Sequence, residues 1–184
     1  MTNPAFQACP QSDLEALVGQ LAQGAGPEAV EALLRLHPAD PRLLFLHGST
    51  LAGERRYPEA RAAIARAVEA APEFWIARFQ LGFLEFTSGE PTLAGETWGP
   101  LATRPEGDAL RLFAEGLMRL PLDDTAGAID LIRRGMAANT ENPALNNDMQ
   151  LLVDELTRAG GPGDPEPTSE TDLLLRQLGH GARR

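Results

Sequence analysis

Residues 41–72, PRLLFLHGSTLAGERRYPEARAAIARAVEAAP, carry the clearest structural pattern in the chain. It has the pattern of two short amphipathic helices that are joined by a turn near Arg55. Small residues fall inside both predicted helices, at Gly48 and Ala60, and Pro72 closes the unit. The stretch therefore predicts a helix–turn–helix pair.

The same arrangement of small residues recurs farther along the chain. Glycines stand 34 residues apart at Gly48, Gly82 and Gly116, and alanines do so at Ala60, Ala94 and Ala128. A fixed period of this length, with two helices in each unit, is typical of stacked helical repeats. It predicts an all-α fold with three clear repeats, which are residues 41–74, 75–108 and 109–142.

Weaker versions of the pattern flank these repeats. Residues 7–40 are predicted to form a degenerate repeat with a shortened first helix, which a capping-box pattern from Ser12 to Glu15 would open. Residues 143–158 are predicted to form a capping helix, because one face of it is strongly polar. The repeat domain thus spans residues 12–158, behind a flexible N-terminus at 1–11. Outside the central unit, the expected helices are near residues 13–22, 27–36, 73–88, 91–103, 107–120, 124–138 and 143–158.

The composition changes after the last predicted helix. Residues 159–168, AGGPGDPEPT, are rich in glycine, proline and acid and are predicted to be a linker. Residues 169–184 contain a short amphipathic segment, which would be marginal as an isolated helix in water. We expect this tail to be ordered only when it docks on something. Its apolar residues are Leu173, Leu174, Leu175 and Leu178.

Charge and composition limit the class of protein. The 184 residues carry a formal net charge of −10, and all 16 basic residues are arginines. An acidic chain with scattered arginines argues against non-specific binding to nucleic acids and to anionic membranes. The single cysteine, Cys9, is expected to be an incidental residue near a loose terminus. With neither a signal-peptide pattern nor a membrane-length apolar segment, we predict a cytoplasmic protein.

The repeats resemble the tetratricopeptide repeat (TPR) family, and the chain is similar to its small bacterial-type members. In that pattern, small residues let the two helix backbones approach and large residues fill the space between them. The resemblance implies a right-handed superhelix of helix–turn–helix repeats. The unit that begins at Pro41 matches with Leu44, Gly48, Leu51, Ala60, Ile64, Ala67 and Pro72, and the next two match with Leu81, Gly82, Ala94 and Trp98 and with Leu112, Gly116, Ala128 and Ile132.

The resemblance also implies a binding groove. In TPR proteins, positions two, five, nine and twelve of each first helix line the concave face. In this chain, these positions form a largely apolar stripe along the first helices. Two interpretations of the stripe stay open: it lines a groove for a hydrophobic or amphipathic peptide, or the first helices are rotated and it belongs to the core. The corresponding partner-binding residues are Arg42, Phe45, Ile76, Phe79, Phe83, Phe86, Leu110, Phe113, Leu117 and Leu120.

Four charged residues occupy positions that the family pattern normally buries. Each charge must be paired or must reach solvent, because an isolated buried charge is costly. Glu85 and Arg119 stand one period apart, and we predict that they form an ion pair. The other two charged residues are Arg78 and Glu115.

A catalytic or metal site has no support in the sequence. The histidines His37, His47 and His180 are far apart and lack spaced carboxylate or cysteine partners. Neither a nucleophile–base pair nor a phosphate-binding glycine loop is present. We therefore expect a protein that is not an enzyme and that needs no cofactor and no metal.

These observations predict a protein–protein interaction adaptor that binds an apolar or amphipathic peptide in the groove. One alternative is a secretion-system-type TPR chaperone for hydrophobic client segments, and another is a regulatory subunit of an enzyme complex. The expected partner is another protein or peptide, or the chain's own tail, which tethering would hold at millimolar effective concentration. The chain itself is expected to be a monomer or a weak homodimer.

Overall fold

Helices build all of the regular secondary structure in residues 8–159, the part of the chain that the computed structural model describes. The α-helices of this range are α1 (Gln11–Ala22), α2 (Pro27–Leu34), α3 (Pro41–Gly53), α4 (Tyr57–Ala70), α5 (Trp75–Thr87), α6 (Pro91–Trp98), α7 (Ala109–Leu117), α8 (Thr125–Ala138) and α9 (Pro143–Ala159). Two 3₁₀ turns, Gly99–Thr103 and Leu120–Leu122, follow α6 and α7. The predicted all-α fold class is confirmed.

The helices lie close to their predicted positions, with two differences that involve proline. The predicted helix 91–103 ends as an α-helix at Trp98 and goes on as a 3₁₀ turn that contains Pro100. The predicted helix 107–120 likewise gives way to a 3₁₀ turn that contains Pro121. Proline lacks the N–H group that the interior of an α-helix needs, so the chain tightens into a shorter turn instead.

The first helix pair differs from its prediction in two ways. α1 begins at Gln11, so Ser12 lies inside the helix, where its hydroxyl donates to Asp13 at 3.2 Å. The predicted capping box is therefore wrong, because a cap must stand just before the first helical residue. The shortened helix is α2, with 8 residues, rather than α1, with 12.

Aspartate side chains cap the start of three helices. The caps are Asp40 for α3, Asp108 for α7 and Asp124 for α8. Each carboxylate accepts a hydrogen bond of 2.9–3.1 Å from a backbone N–H two or three residues ahead. Such a cap satisfies a backbone donor that has no partner within the helix, which stabilises the helix by about 1 kcal/mol.

Glycine positions show how the two helices of a repeat pack. A Cβ atom at Gly48 on α3 would collide with Ile64 on α4 and would lie 2.9 Å from the carbonyl oxygen of Ala60. A Cβ atom at Gly116 on α7 would meet the corresponding atoms of α8 at 3.0 and 3.1 Å. Only a residue without Cβ lets the paired backbones come this close, so the predicted role of these small residues is confirmed.

The turn between the two helices of a repeat contains one left-handed residue. Arg55, Gly89 and Asp123 have φ angles of 63°, 84° and 57°, and they stand one period apart. Glycine adopts this conformation freely, whereas arginine and aspartate adopt it with some strain. The left-handed conformation recurs at this position although the residue type changes. This indicates that the packing of the two helices, and not the turn residue itself, sets the turn geometry.

The chain divides into two compact units between Leu81 and Gly82, inside α5. In the first unit, α1 packs on α2, α2 on α3, and α3 on α4. The prediction that Cys9 is incidental is wrong, because its side chain is 3% exposed and packs with the apolar side chains of the first three helices as a small hydrophobic residue does. The buried members of this cluster are Cys9, Leu17, Val30 and Leu43.

In the second unit, α6 packs on α7, α7 on α8, and α8 on α9. One face of α9 is buried, and its members are Leu145, Met149, Leu152, Val153 and Leu156. The polar side chains of Asn147 and Asp154 are exposed, as the sequence predicts, together with one apolar residue, Leu151, at 68%. Asn146 instead turns inward, and its side-chain amide donates to the carbonyl oxygens of Met136 and Asn139 at the end of α8.

Two of the unusual charges on the first helices reach the surface. Glu115 is exposed and forms an ion pair with Arg111, at 2.7 Å between Oε1 and Nε. Arg78 donates to the carbonyl oxygen of Pro72 at 3.0 Å. These contacts keep both charges hydrated or hydrogen-bonded, as the energetic argument requires.

The predicted pair between Glu85 and Arg119 is not formed. Arg119 is half exposed and pairs with Asp124, across the turn between α7 and α8. Glu85 is 4% exposed, and its carboxylate accepts a hydrogen bond of 2.7 Å from the Thr97 hydroxyl on α6. Glu85 and Arg119 therefore have different partners although they stand one period apart. The long Arg119 side chain reaches Asp124 in the turn that follows its own helix.

The described helices include none that is both long and apolar enough to cross a membrane. Residues 160–184, which contain most of the predicted linker and the whole tail motif, lie outside the described part of the chain.

Candidate protein-binding face

The ten predicted groove residues divide into a buried and a partly exposed set. Five side chains are less than 5% exposed: Phe79, Phe86, Phe113, Leu117 and Leu120. The other five are partly exposed: Arg42, Phe45, Ile76, Phe83 and Leu110. The stripe is therefore not a uniformly open apolar surface.

Phe113 packs into the core of its own repeat. Its ring lies over Gly135 on α8, where an added Cβ atom would come within 2.6 Å of two ring carbons. The sequence placed a small residue at this position, and the space it leaves is filled by the ring. The burial of Phe113 thus agrees with the second interpretation, in which the first helix is rotated and its apolar stripe belongs to the core.

Phe86 has the same orientation on α5. Its ring centroid is 5.9 Å from that of Trp98 on α6, and the Trp98 indole also covers Gly82. A bulky indole on the second helix requires a glycine on one side and offers an apolar surface on the other. The assignment of Phe86 and Phe113 to an open groove is corrected by these contacts.

Partly exposed aromatic rings remain on the first unit. Phe45 on α3 meets Phe74 edge to face, with ring centroids 5.2 Å apart and an interplanar angle of 60°. Both rings are half-buried, and so is Ile76 at the start of α5. Phe74 was not among the predicted residues, although its position beside Trp75, just before a first helix, is a usable signal. In the second unit, Phe83 is likewise half-buried.

Arg42 is held by contacts inside the protein. Its Nη2 atom donates to Asp40 Oδ2 and to the carbonyl oxygen of Cys9, each at 2.7 Å. The Asp40 carboxylate, which is 1% exposed, also accepts the backbone N–H of Cys9 at 2.8 Å. Asp40 and Arg42 together attach the segment before α1 to the start of α3. The contacts of Arg42 therefore have a structural role inside the protein.

These contacts change the acidity of the groups involved. Burial raises the pKa of Asp40, but hydrogen bonds from the Arg42 guanidinium and from the backbone N–H groups of Cys9 and Arg42 outweigh it, so the net pKa is lowered. The hydrogen bond to Asp40 raises the pKa of Arg42. Burial raises the pKa of the Cys9 thiol, and the charge of Asp13 adds to this, so the thiol is a poor nucleophile.

The sequence carried a signal for this cluster. Asp40 followed by Pro41 is a favourable start for a helix, with a capping aspartate and a proline at the first helical position. The second partner, Cys9, has no such local signal, because its contact spans 31 residues of sequence.

The described residues hold no group of three or more histidine, cysteine, aspartate or glutamate side chains that could bind a metal ion. His47 contacts Glu31 at 3.3 Å, and His37 is 8% exposed. His47 thus lies at the boundary of the core beside a carboxylate, and His37 is buried, as core and boundary histidines generally are.

Comparison with known proteins supports the repeat pattern. A model of the tetratricopeptide repeat family matches two overlapping segments, residues 19–72 and 45–106. Neither a search of curated proteins nor a search of solved structures gave a significant match. The matched residues cover α2 to α6, and the packing of Gly116 against α8 repeats the same contact beyond them.

Helix pairs that repeat a glycine contact at one fixed spacing define a helical repeat protein. The family match then identifies the kind of repeat: the chain belongs to the tetratricopeptide repeat family. Repeats of this family imply a helical superhelix, generally mediate protein–protein interaction, and are typically non-catalytic scaffolds.

Proposed function

We propose that this chain is an adaptor that binds an apolar or amphipathic peptide segment of another protein on the partly exposed apolar side chains of its first helices. We call these residues the first-helix face, which consists of a separate set in each compact unit: Phe45 and Ile76 in the first, and Phe83 and Leu110 in the second. The observation that carries the proposal is that these side chains stay half-buried while their neighbours in the same stripe are fully buried.

Surface energetics support a peptide ligand. A half-buried aromatic ring has apolar area still to remove from water, at roughly 25 cal/mol for each Å². Phe45 and Phe74 present two such rings in edge-to-face contact, and each ring loses little side-chain entropy on binding because packing already holds it. A few anchors of this kind generally dominate the affinity of an interface.

The experiment is affinity capture with three forms of the full chain: wild type, Phe45→Ala/Phe83→Ala, and Leu151→Ala. Leu151 is a matched control, because it is an exposed apolar residue on α9 and not on a first helix. We expect the Leu151→Ala form to retain the proteins captured by wild type. We expect the double variant to lose those bound through the face, with affinities weaker by roughly tenfold or more.

Circular dichroism and thermal unfolding of the two variants serve as the folding control. If the double variant is folded and captures the same proteins with the same affinity, the first-helix face is not the binding site. The proposed function then fails at this surface.

The tail motif is a candidate ligand of the same chemistry. Leu173, Leu174, Leu175 and Leu178 form an amphipathic pattern at the end of the chain. If this segment competes for the first-helix face, deletion of residues 160–184 raises the affinity for the captured protein. Unchanged affinity after the deletion would contradict the competition.

A further inference from the structure

A second surface, on the second helices of the first unit, has a different chemistry. A cleft of about 290 Å³ lies beside α2 and α4. Its lining residues are Glu31, Leu34, Arg35, Pro38 and Arg66. The volume is at the lower limit of small-ligand sites, which suits one or two side chains of a peptide better than a whole cofactor.

The charges that line this cleft are not balanced. Arg66 is oriented by its Nη2 atom, which donates to the Pro38 carbonyl oxygen at 3.1 Å. Arg35 is exposed and has neither an ion pair nor a hydrogen bond from its side chain to any part of the described chain. The one carboxylate of the lining, Glu31, lies 3.3 Å from the imidazole of His47. The lining therefore carries two guanidinium groups and one carboxylate, and neither guanidinium group forms an ion pair with the described residues.

The same cleft offers apolar contact beside the positive charge. Leu34 is half-buried in its wall and Pro38 is exposed at its edge. Leu36, between them in the chain, is 68% exposed. A ligand with a carboxylate next to an apolar side chain would satisfy both features, because guanidinium groups bind carboxylates in a fixed planar geometry.

From this geometry we propose that the cleft between α2 and α4 is a docking site for an acidic peptide segment, in which a glutamate or aspartate lies beside leucine. The carboxylate binds Arg35 and Arg66, and the leucine packs on Leu34 and Pro38. The net charge of −10 opposes the binding of long polyanions more strongly than that of a short acidic segment, because repulsion grows with the number of negative charges on the ligand. A single carboxylate in the cleft responds mainly to charges within about 10 Å.

This proposal is independent of the first-helix face, because it uses residues of the second helices α2 and α4 and the connection after α2. The test is a nuclear magnetic resonance titration of the full chain with the synthetic peptide acetyl-Gly-Glu-Glu-Leu-Leu-Gly-amide. We expect binding with a dissociation constant on the order of millimolar and signal shifts at Arg35, Arg66 and their neighbours.

Charge reversal provides the decisive comparison. Arg35→Glu/Arg66→Glu should bind the peptide at least roughly tenfold more weakly, while Arg133→Glu/Arg134→Glu should bind it as wild type does. The control makes the same change in charge on the exposed side of α8. The reversed peptide acetyl-Gly-Arg-Arg-Leu-Leu-Gly-amide should prefer the Arg35→Glu/Arg66→Glu form over wild type.

Three results would overturn the proposal: wild type shows no shifts at the cleft, both charge-reversed forms bind equally, or a peptide with glutamine in place of glutamate binds as well. If the reversed form is unfolded by circular dichroism, Arg35→Gln/Arg66→Gln replaces it, with the same expected order of affinities. Loss of peptide binding here leaves the capture experiment on Phe45 and Phe83 unaffected, so the two surfaces are tested separately.

Discussion

At the scale of single residues, the segment before α1 is held by one buried carboxylate. Asp40 accepts hydrogen bonds from the backbone of Cys9 and of Arg42 and from the Arg42 guanidinium. Hydrogen bonds to a charged group contribute about 1.5–3 kcal/mol each when they are well formed. Asp40 therefore stabilises the first unit in two ways, as a helix cap and as the anchor of Cys9.

Replacing Asp40 with asparagine should lower the free energy of unfolding at neutral pH by on the order of 2 kcal/mol. Because the folded state lowers the pKa of Asp40, the carboxylate stabilises the fold above the ordinary aspartate pKa of about 4. This stability is lost as the pH falls through the lower folded pKa. The difference between wild type and Asp40→Asn in urea unfolding should then be large near neutral pH and smaller in acid.

Asp130→Asn is the control for this series, because Asp130 forms only an exposed pair with Arg134. We expect its effect to stay below about 0.5 kcal/mol. A difference between wild type and Asp40→Asn that is the same at neutral and acidic pH would contradict the role of the Asp40 charge.

The left-handed turn residue gives a second prediction at this scale. Gly89 has a φ angle of 84°, and nothing lies within 4 Å of the Cβ that an alanine would add. Gly89→Ala should therefore lower the free energy of unfolding by about 1 kcal/mol through backbone strain alone. Gly99 also has open space but a right-handed φ of −44°, so Gly99→Ala should leave stability unchanged or raise it by about 0.5 kcal/mol. Equal effects in thermal unfolding would refute the strain argument.

At the scale of elements, the junction between α8 and α9 is closed by asparagine side chains. Asn139 donates to Asn146 Oδ1 at 2.8 Å, and Asn146 donates to the carbonyl oxygens of Asn139 and Met136 at 3.0 and 3.2 Å. Asn142 caps α9 by accepting the N–H of Leu145. Two carbonyl groups at the end of α8 and one backbone amide in the first turn of α9 are thus satisfied by side chains.

Asn146→Ala should destabilise the protein by about 1–2 kcal/mol, because two carbonyl oxygens and the Asn139 amide each lose a partner. Asn147→Ala is the matched control. Its side chain is exposed and makes no hydrogen bond to the described residues, so its effect should stay within about 0.5 kcal/mol. Chemical denaturation of both variants measures the difference. Similar values for the two would mean that the junction does not depend on this network.

At the scale of the whole molecule, the repeats act as similar modules with separate helix contacts. The glycine contact in α3 and α4 recurs in α7 and α8, in the other compact unit. In a repeat protein, stability is approximately a sum of repeat and neighbour contributions. Equivalent substitutions in the two units should then act independently.

Gly48→Ala and Gly116→Ala should each destabilise by on the order of 1–3 kcal/mol, with the larger effect at Gly48, where the approach is closer. The double variant should equal the sum of the single effects within about 0.5 kcal/mol. Gly19→Ala, in a helix position with open space, is the control and should be neutral or stabilising. A coupling above about 1 kcal/mol in urea unfolding would show that the two repeats do not behave as separate modules.

The amino-acid pattern alone is enough to predict the repeat period, the helix pairs and the residues at which the two helices of a pair approach each other. These properties depend on local spacing and on small residues such as Gly48 and Gly116, which are visible in a linear pattern. It could not determine the rotation of each first helix, which decides whether Phe86 and Phe113 face solvent or a second helix. That rotation depends on what the second helix presents: Trp98, which covers Gly82, and Gly135, whose missing side chain leaves room for the Phe113 ring.

Tertiary structure also decided the roles of Arg42 and Cys9, and it alone showed the cleft between α2 and α4. Cys9 contacts Asp40, and Arg35 lines the same cleft as Arg66. In both cases the two residues are about 30 apart in sequence, so the periodicity within a single helix cannot show that they are close. Local spacing fixes which residues share a helix face. The packing of one face against another then decides which of them remain available for a partner.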